Sequence, residues 1–196
     1  MTATSDSIER FLHELDSEWD PPTKHELKII GSTALLLRTT YERATRDSDI
    51  LQTAQIDERT KARLLDLAGV NTILSRRHGI YLQVLPEAIP FLPQQPSWHR
   101  VAPSLVHFEV LVLDVVDVVV SKLKRFDARD IEDIRAMVDR GLVAADLLAN
   151  RFVLAKDFLL GDAREVDLPR YWENLNYVER ELLLAPETLV DLPSWI

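Results

Sequence analysis

The chain has 196 residues, 46% hydrophobic and 28% charged, which fits one compact globular unit or a small domain with an appended helical region. It has no cysteine, which excludes disulfides, thiolate nucleophiles and cysteine-based zinc sites and suits a reducing cytoplasm. A formal net charge of -9 argues against general nucleic-acid binding, whose affinity comes from Lys and Arg neutralising phosphates.

In chain order, the opening stretch from Met1 to Asp20 is polar and acidic and reads as no secretory signal. Lys28 to Ile30 is a short strand running into Gly31. A helix is expected from Thr33 to about Thr40, with Ser32 as its cap. Ser48 to Leu51 reads as a strand. Asp57 to Ala68 reads as a helix that stops at Gly69, with Ile56, Leu64, Leu67 and Ala68 as its apolar stripe.

Ile80 to Leu85 follows Gly79 and ends at Pro86, as a strand would. Five prolines between Pro86 and Pro103 predict an extended surface loop. His107 to Leu113 is a further strand. Helices are then expected over Val115 to Arg125, over Ala128 to Arg140 between Asp127 as cap and Gly141 as stop, over Leu142 to Leu160, and over Pro169 to Leu184.

The longest apolar run, Val110 to Val120, is broken by Asp114 and Asp117 and is too short to span a bilayer. These elements predict an α/β (α+β) fold in which a small mixed sheet is flanked by helices. Residues 1–113 form the α/β core, and a helical C-terminal region, residues 114–196, packs on it.

The residues that could carry chemistry lie around Gly31-Ser32 and Asp47-Ser48-Asp49. A glycine just after a strand lets the backbone approach a triphosphate, and Ser32 offers a hydroxyl and an amide to a phosphate oxygen. The helix that follows points its free N–H groups at the same place. On a strand, Asp47 and Asp49 share one face. Two carboxylates there suit Mg2+, a hard cation that prefers oxygen ligands and brings phosphates with it.

Basic charge is concentrated in Lys122, Lys124, Arg125 and Arg129, and any polyanion site is expected there. Lys122 follows the apolar Val118 to Val120, so it is expected to be partly buried and to need an anion. Arg129, Asp130, Asp133 and Arg135 could equally form a lattice of ion pairs. The five histidines show no metal-ligand spacing. Trp172, Leu175, Val178 and Leu182 recur at helical spacing and read as core.

Gly31-Ser32 with Asp47-x-Asp49 resembles the first two motifs of the DNA polymerase β-like minimal nucleotidyltransferases. Ser121 to Arg125, with Arg129-Asp130-Ile131-Glu132-Asp133-Ile134, resembles the lysine and R-D-x-x-D-I elements of the AbiEii-type branch, which includes toxins of type IV toxin–antitoxin systems. Arg77 to Leu82 and Pro86 to Pro93 also look like members of that branch. The resemblance covers roughly residues 27 to 140.

It implies that Gly31 and Ser32 contact the triphosphate of an NTP, that Asp47 and Asp49 bind Mg2+, that Lys122 reaches phosphate, and that Asp130 or Asp133 orients neighbouring groups. The reaction implied is transfer of a nucleoside monophosphate to a tRNA or protein acceptor, with an antitoxin protein as a partner and no membrane. Such enzymes usually carry a third carboxylate on a neighbouring strand. Here the expected place holds Gln83, an amide that is neither an anionic ligand nor a strong base. Glu109, on another strand, is a substitute to be tested, and a nucleotide- or antitoxin-binding module without turnover is the alternative reading.

Overall fold

In the computed structural model the described residues are 4–42, 45–101, 104–193 and 195. They form two compact units, Met1–Ile89 with Trp98–Asp114, and Pro90–Ser97 with Val115–Ile196. The fold is mixed α/β, with a five-stranded sheet in the first unit and helices in both.

The first unit opens with a helix, α1 (Ser5–Ser17), within the stretch that reads as simply polar. Thr4 and Ser7 form a reciprocal capping box at its start, and Ile8, Phe11, Leu12 and Leu15 form a buried stripe at helical spacing. Burying side chains of this size stabilises by about 1.5–3 kcal/mol each. Strands β1 (His25–Ile29), β2 (Asp47–Gln52), β3 (Tyr81–Pro86), β4 (Trp98–Arg100) and β5 (Phe108–Leu113) are ordered β3-β2-β1-β5-β4. β1 is parallel to β5 and antiparallel to β2; β2 is parallel to β3, and β4 is antiparallel to β5.

One sheet face is core. Leu27, Ile29, Ile50, Leu82, Val84, Phe108, Val110 and Val112 are buried there, as the strand period of two requires. Helix α2 (Gly31–Arg38) packs on β2 and β5, and α3 (Glu58–Ala68) packs on β3. A short helix, α4 (Ile73–His78), packs on α1 and α3 and is capped by Thr72. Asp57, the first residue of the expected helix, is the cap of α3. The expected loop from Pro86 to Pro103 contains β4, although residues 102 and 103 lie outside the described residues. β4 is an edge strand, where proline-rich flanks cost no ladder hydrogen bond.

The second unit contains α5 (Val115–Lys122), α6 (Ala128–Asp139), α7 (Ala145–Leu159) and α8 (Leu168–Tyr177), followed by a π-helical turn at Val178–Leu182. Helix α5 ends at Lys122, three residues before the expected Arg125, and Phe126 takes a left-handed φ of 54° as the chain turns. Helix α7 begins at Ala145, after the left-handed Gly141. Leu175 and Val178 are fully buried, while Trp172 and Leu182 are half-buried, and the Trp172 indole donates to the Thr188 carbonyl at 2.8 Å.

Residues 90–97 belong to this helical unit. Phe91 packs its ring 5.4 Å from Phe152 and 5.0 Å from Tyr171. Asp117, 1% exposed, takes both guanidinium donors of Arg151 at 2.6 Å and the Ser97 amide at 2.7 Å. Arg151 also donates to the Gln95 carbonyl at 3.0 Å, so the buried charge pair fastens this strap with every oxygen of Asp117 engaged.

Candidate active site

β1 ends at Ile29, and Ile30 stays extended as the cap position of α2 without any side-chain cap hydrogen bond. Gly31 takes φ +65°, a left-handed conformation that lets the chain turn directly into helix. The helix therefore starts two residues earlier than expected. Ser32 lies in its first turn and is not its cap.

β2 brings the two aspartates beside this turn. The Ile30 amide donates to the Asp49 carbonyl at 2.9 Å, and a Cβ placed on Gly31 would stand 3.3 Å from Asp49 Oδ2. The Asp49 carboxylate thus lies directly over the glycine. The burial pattern of β2 alternates, with Asp47 exposed, Ser48 buried, Asp49 half-buried and Ile50 buried, so both carboxylates share the face away from the core. Ser48 points inward, and its buried hydroxyl has no partner among the described residues.

Two threonines that the sequence reading passed over position Asp47. Thr33 of α2 donates to the Asp47 carbonyl at 3.1 Å. Buried Thr45 donates to Asp47 Oδ1 at 3.1 Å and to its carbonyl at 3.3 Å. The Thr33 contact depends on how α2 lies on β2, which no residue spacing announces, whereas Thr45 reaches Asp47 from only two residues before it.

Gln83 stands where the third carboxylate was expected. It pairs with Asp49 across the parallel β2–β3 ladder, and Tyr81 pairs with Asp47. Gln83 is exposed, between buried Leu82 and Val84, so it shares the carboxylate face. Glu109 does not substitute for it. Glu109 is level with Glu26 of β1 and forms an ion pair with Arg100. Asp49 is level with Ile30, four residues further along β1, or about 13 Å at strand rise, and two strands across.

Among the described residues, no group of three or more His, Cys, Asp or Glu could hold a metal. Two carboxylates still fit Mg2+, which keeps several waters and completes its shell with substrate phosphates.

Lys122, Asp130 and Asp133 come together in the helical unit. Lys122 is 6% exposed, and its Nζ lies 2.9 Å from Asp130 Oδ1 and 2.8 Å from Asp133 Oδ2. The anion that a buried lysine needs is thus supplied twice from within the chain. Asp130 also accepts from Arg125 Nε at 2.8 Å and Nη2 at 2.9 Å, and it closes a capping box with Asp127 at the start of α6.

Burial works to raise the Asp130 pKa, but the Arg125 guanidinium and the Lys122 ammonium outweigh it and hold the carboxyl below its ordinary 3.8. Two of the four clustered cations are therefore already engaged by carboxylates, which reduces the local positive charge expected for a polyanion. Arg129 and Arg135, which the sequence allowed equally to join these aspartates in an ion-pair lattice or to act at a site, are exposed on α6.

No helix among the described residues is long and apolar enough to cross a membrane. No curated protein and no solved structure shows a significant match to the chain. A family model described as "nucleotidyltransferase of unknown function (DUF6036)" matches residues 7–180, a span that takes in the Gly31-Ser32 turn, both aspartates, Gln83 and the Lys122 cluster. The chain belongs to this nucleotidyltransferase family.

Proposed function

We propose that the protein is a cytoplasmic, Mg2+-dependent nucleotidyltransferase of AbiEii-like type, which moves a nucleoside monophosphate from an NTP to an RNA or protein hydroxyl. The observation that carries this reading is the Asp49 carboxylate seated against Gly31 at the start of α2. Helix N–H groups and a nearby carboxylate pair are a complementary set for a magnesium-bound triphosphate.

In this reading Asp47 and Asp49 hold Mg2+, which when bound offsets phosphate charge and favours departure of pyrophosphate. Gly31 and Ser32 receive the triphosphate through their amides and the Ser32 hydroxyl, and the absence of a side chain at 31 leaves room for it. Thr45 holds the Asp47 carboxylate and Thr33 its carbonyl, so Asp47 is preorganised. The acceptor oxygen attacks the α-phosphorus in line with the pyrophosphate oxygen, the bond to pyrophosphate breaks, and the acceptor proton passes to solvent. The AbiEii-like resemblance assigns Lys122 to phosphate, whereas its ammonium is held by Asp130 and Asp133 within the helical unit. A role as the toxin of a toxin–antitoxin pair, with an antitoxin as partner, follows from the AbiEii-like resemblance.

A second reading is favoured by one observation, the amide of Gln83 beside Asp49. It is a module that binds nucleotide or antitoxin without turnover. Calorimetric titration of all four NTPs with and without Mg2+, followed by transfer of label from NTP to total RNA and protein, separates the two. Magnesium-dependent binding with transfer supports the enzyme, and binding without transfer supports the module. No binding at millimolar nucleotide contradicts both.

A further inference from the structure

The sheet face that carries Asp47 and Asp49 also carries Glu26 and Lys28 of β1, because Ile29 and Ile50 are paired on the core face. Asp49 is level with Ile30, so Lys28, two residues earlier on β1, is a diagonal neighbour of Asp49 at about 7–8 Å between Cα atoms. The same face continues across β5 and β4. Lys28 pairs with Leu111, Leu111 pairs with Arg100, and Trp98, two residues before Arg100, points to the same side. Lys28 Nζ lies over the Trp98 ring, 5.3 Å from its centroid, and 3.3 Å from Glu26 Oε1.

Lys28, Leu111 and Trp98 are half-buried, whereas Ile30 and Leu113, in the row level with Asp49, are buried. The open path on this face from the carboxylates to the indole therefore passes over Lys28. Lys28 brings a cation to the face of the two aspartates, whereas the ammonium of Lys122 is held by carboxylates in the helical unit. The fold makes little use of either group. A part-exposed ion pair such as Lys28–Glu26 contributes little to stability, and Trp98 sits outside the core on a three-residue edge strand.

We propose that Trp98 and Lys28 form the nucleobase subsite of the nucleotide site, an inference that rests on the nucleotide-transfer reading and adds the residues that hold the base of the NTP. With the triphosphate at the Gly31 turn and the α-phosphate beside Asp47 and Asp49, the nucleoside extends over Lys28 to the indole. A base stacks on an aromatic ring more strongly than an exposed ammonium does, so the base takes the indole face and Lys28 moves to the base edge. There its ammonium, which only donates, meets carbonyl oxygens and ring nitrogens.

The test is calorimetry on the full chain with each Mg2+–NTP and with Mg2+–tripolyphosphate, which has the phosphates but no base. Wild type binds at least one NTP more tightly than tripolyphosphate. Trp98→Leu keeps apolar bulk but loses the aromatic face. It weakens NTP binding by at least about tenfold and leaves tripolyphosphate binding within about twofold, while Trp98→Phe restores most of the NTP affinity. Lys28→Gln weakens NTP binding by about threefold, again without changing tripolyphosphate binding. Retained tripolyphosphate binding shows that a variant is folded, and Lys28→Gln carries the test alone if Trp98→Leu does not fold. Unchanged NTP affinity in either variant, or an equal loss for NTP and tripolyphosphate, overturns the base subsite and leaves the nucleotide turn standing. Failure of wild type to bind either ligand refutes the nucleotide-transfer reading itself, and this proposal falls with it.

Discussion

Gly31→Ala separates backbone strain from crowding of the candidate metal site. At φ +65° an alanine pays the left-handed penalty of about 1–2 kcal/mol. At about 2–4 °C per kcal/mol for a chain of this size, the melting temperature should fall by about 2–8 °C. The new Cβ would also stand 3.3 Å from Asp49 Oδ2, closer than ordinary contact, so the carboxylate must move by a few tenths of an ångström. A shift of that kind in a two-carboxylate site should weaken Mg2+–NTP binding by about tenfold, equivalent to about 1.4 kcal/mol. Gly79→Ala is the matched control. Gly79 has φ +70° and nothing within 4 Å of its hypothetical Cβ, so it carries the same strain without the contact. Calorimetry and thermal melts on both variants should show similar destabilisation but weaker binding only for Gly31→Ala. Equal Mg2+–NTP affinity in the two variants would refute the view that the Gly31–Asp49 contact shapes a nucleotide site.

Gln83→Asp places a carboxylate beside Asp49 on the exposed face, with no burial penalty. It should lower the melting temperature slightly without Mg2+, raise it with Mg2+, and create or increase transfer of labelled nucleotide. A melt that is insensitive to Mg2+ would remove residue 83 from the metal site. Lys122→Met leaves Asp130 and Asp133 as buried charges without their shared ammonium, and should cost about 3–5 kcal/mol at pH 7 in chemical denaturation. Because the folded Asp130 pKa lies below 3.8, its stabilisation is present above that value and is lost as pH falls through the folded pKa. The gap between wild type and Lys122→Met should therefore narrow below about pH 4, and an unchanged gap would show that the carboxylates are not its cause.

The turn at Gly31 and the paired aspartates were legible in the chain because their signals are local: a glycine after an apolar run, and two acids at strand period. The position of Gln83 follows from the same alternation, although its pairing with Asp49 depends on a β2–β3 register that no local pattern dictates. Helix α1 was missed because its charged residues outnumber its stripe, yet Ile8, Phe11, Leu12 and Leu15 keep helical spacing and mark it in retrospect. β4 is too short to show a period and sits among prolines.

The early end of α5 has a similar origin. Lys122 stays helical and buried, whereas Arg125 turns back to Asp130, and both depend on partners supplied by α6. The contacts of Thr33 with Asp47, and of Arg151 with Asp117, join residues through packing rather than periodicity. Sequence reading could name Asp47 but could not show what holds it.

The most direct test of the central claim is transfer of label from α-labelled NTPs to total RNA and protein, by wild type and by Asp49→Asn at matched concentration with Mg2+. Asp49 contributes little to the core, so the variant should melt within a degree or two of wild type. Wild type should show Mg2+-dependent transfer, and the variant a loss of at least about a hundredfold. Equal transfer by the two proteins would contradict it, and would show that the carboxylate over Gly31 has no part in the chemistry.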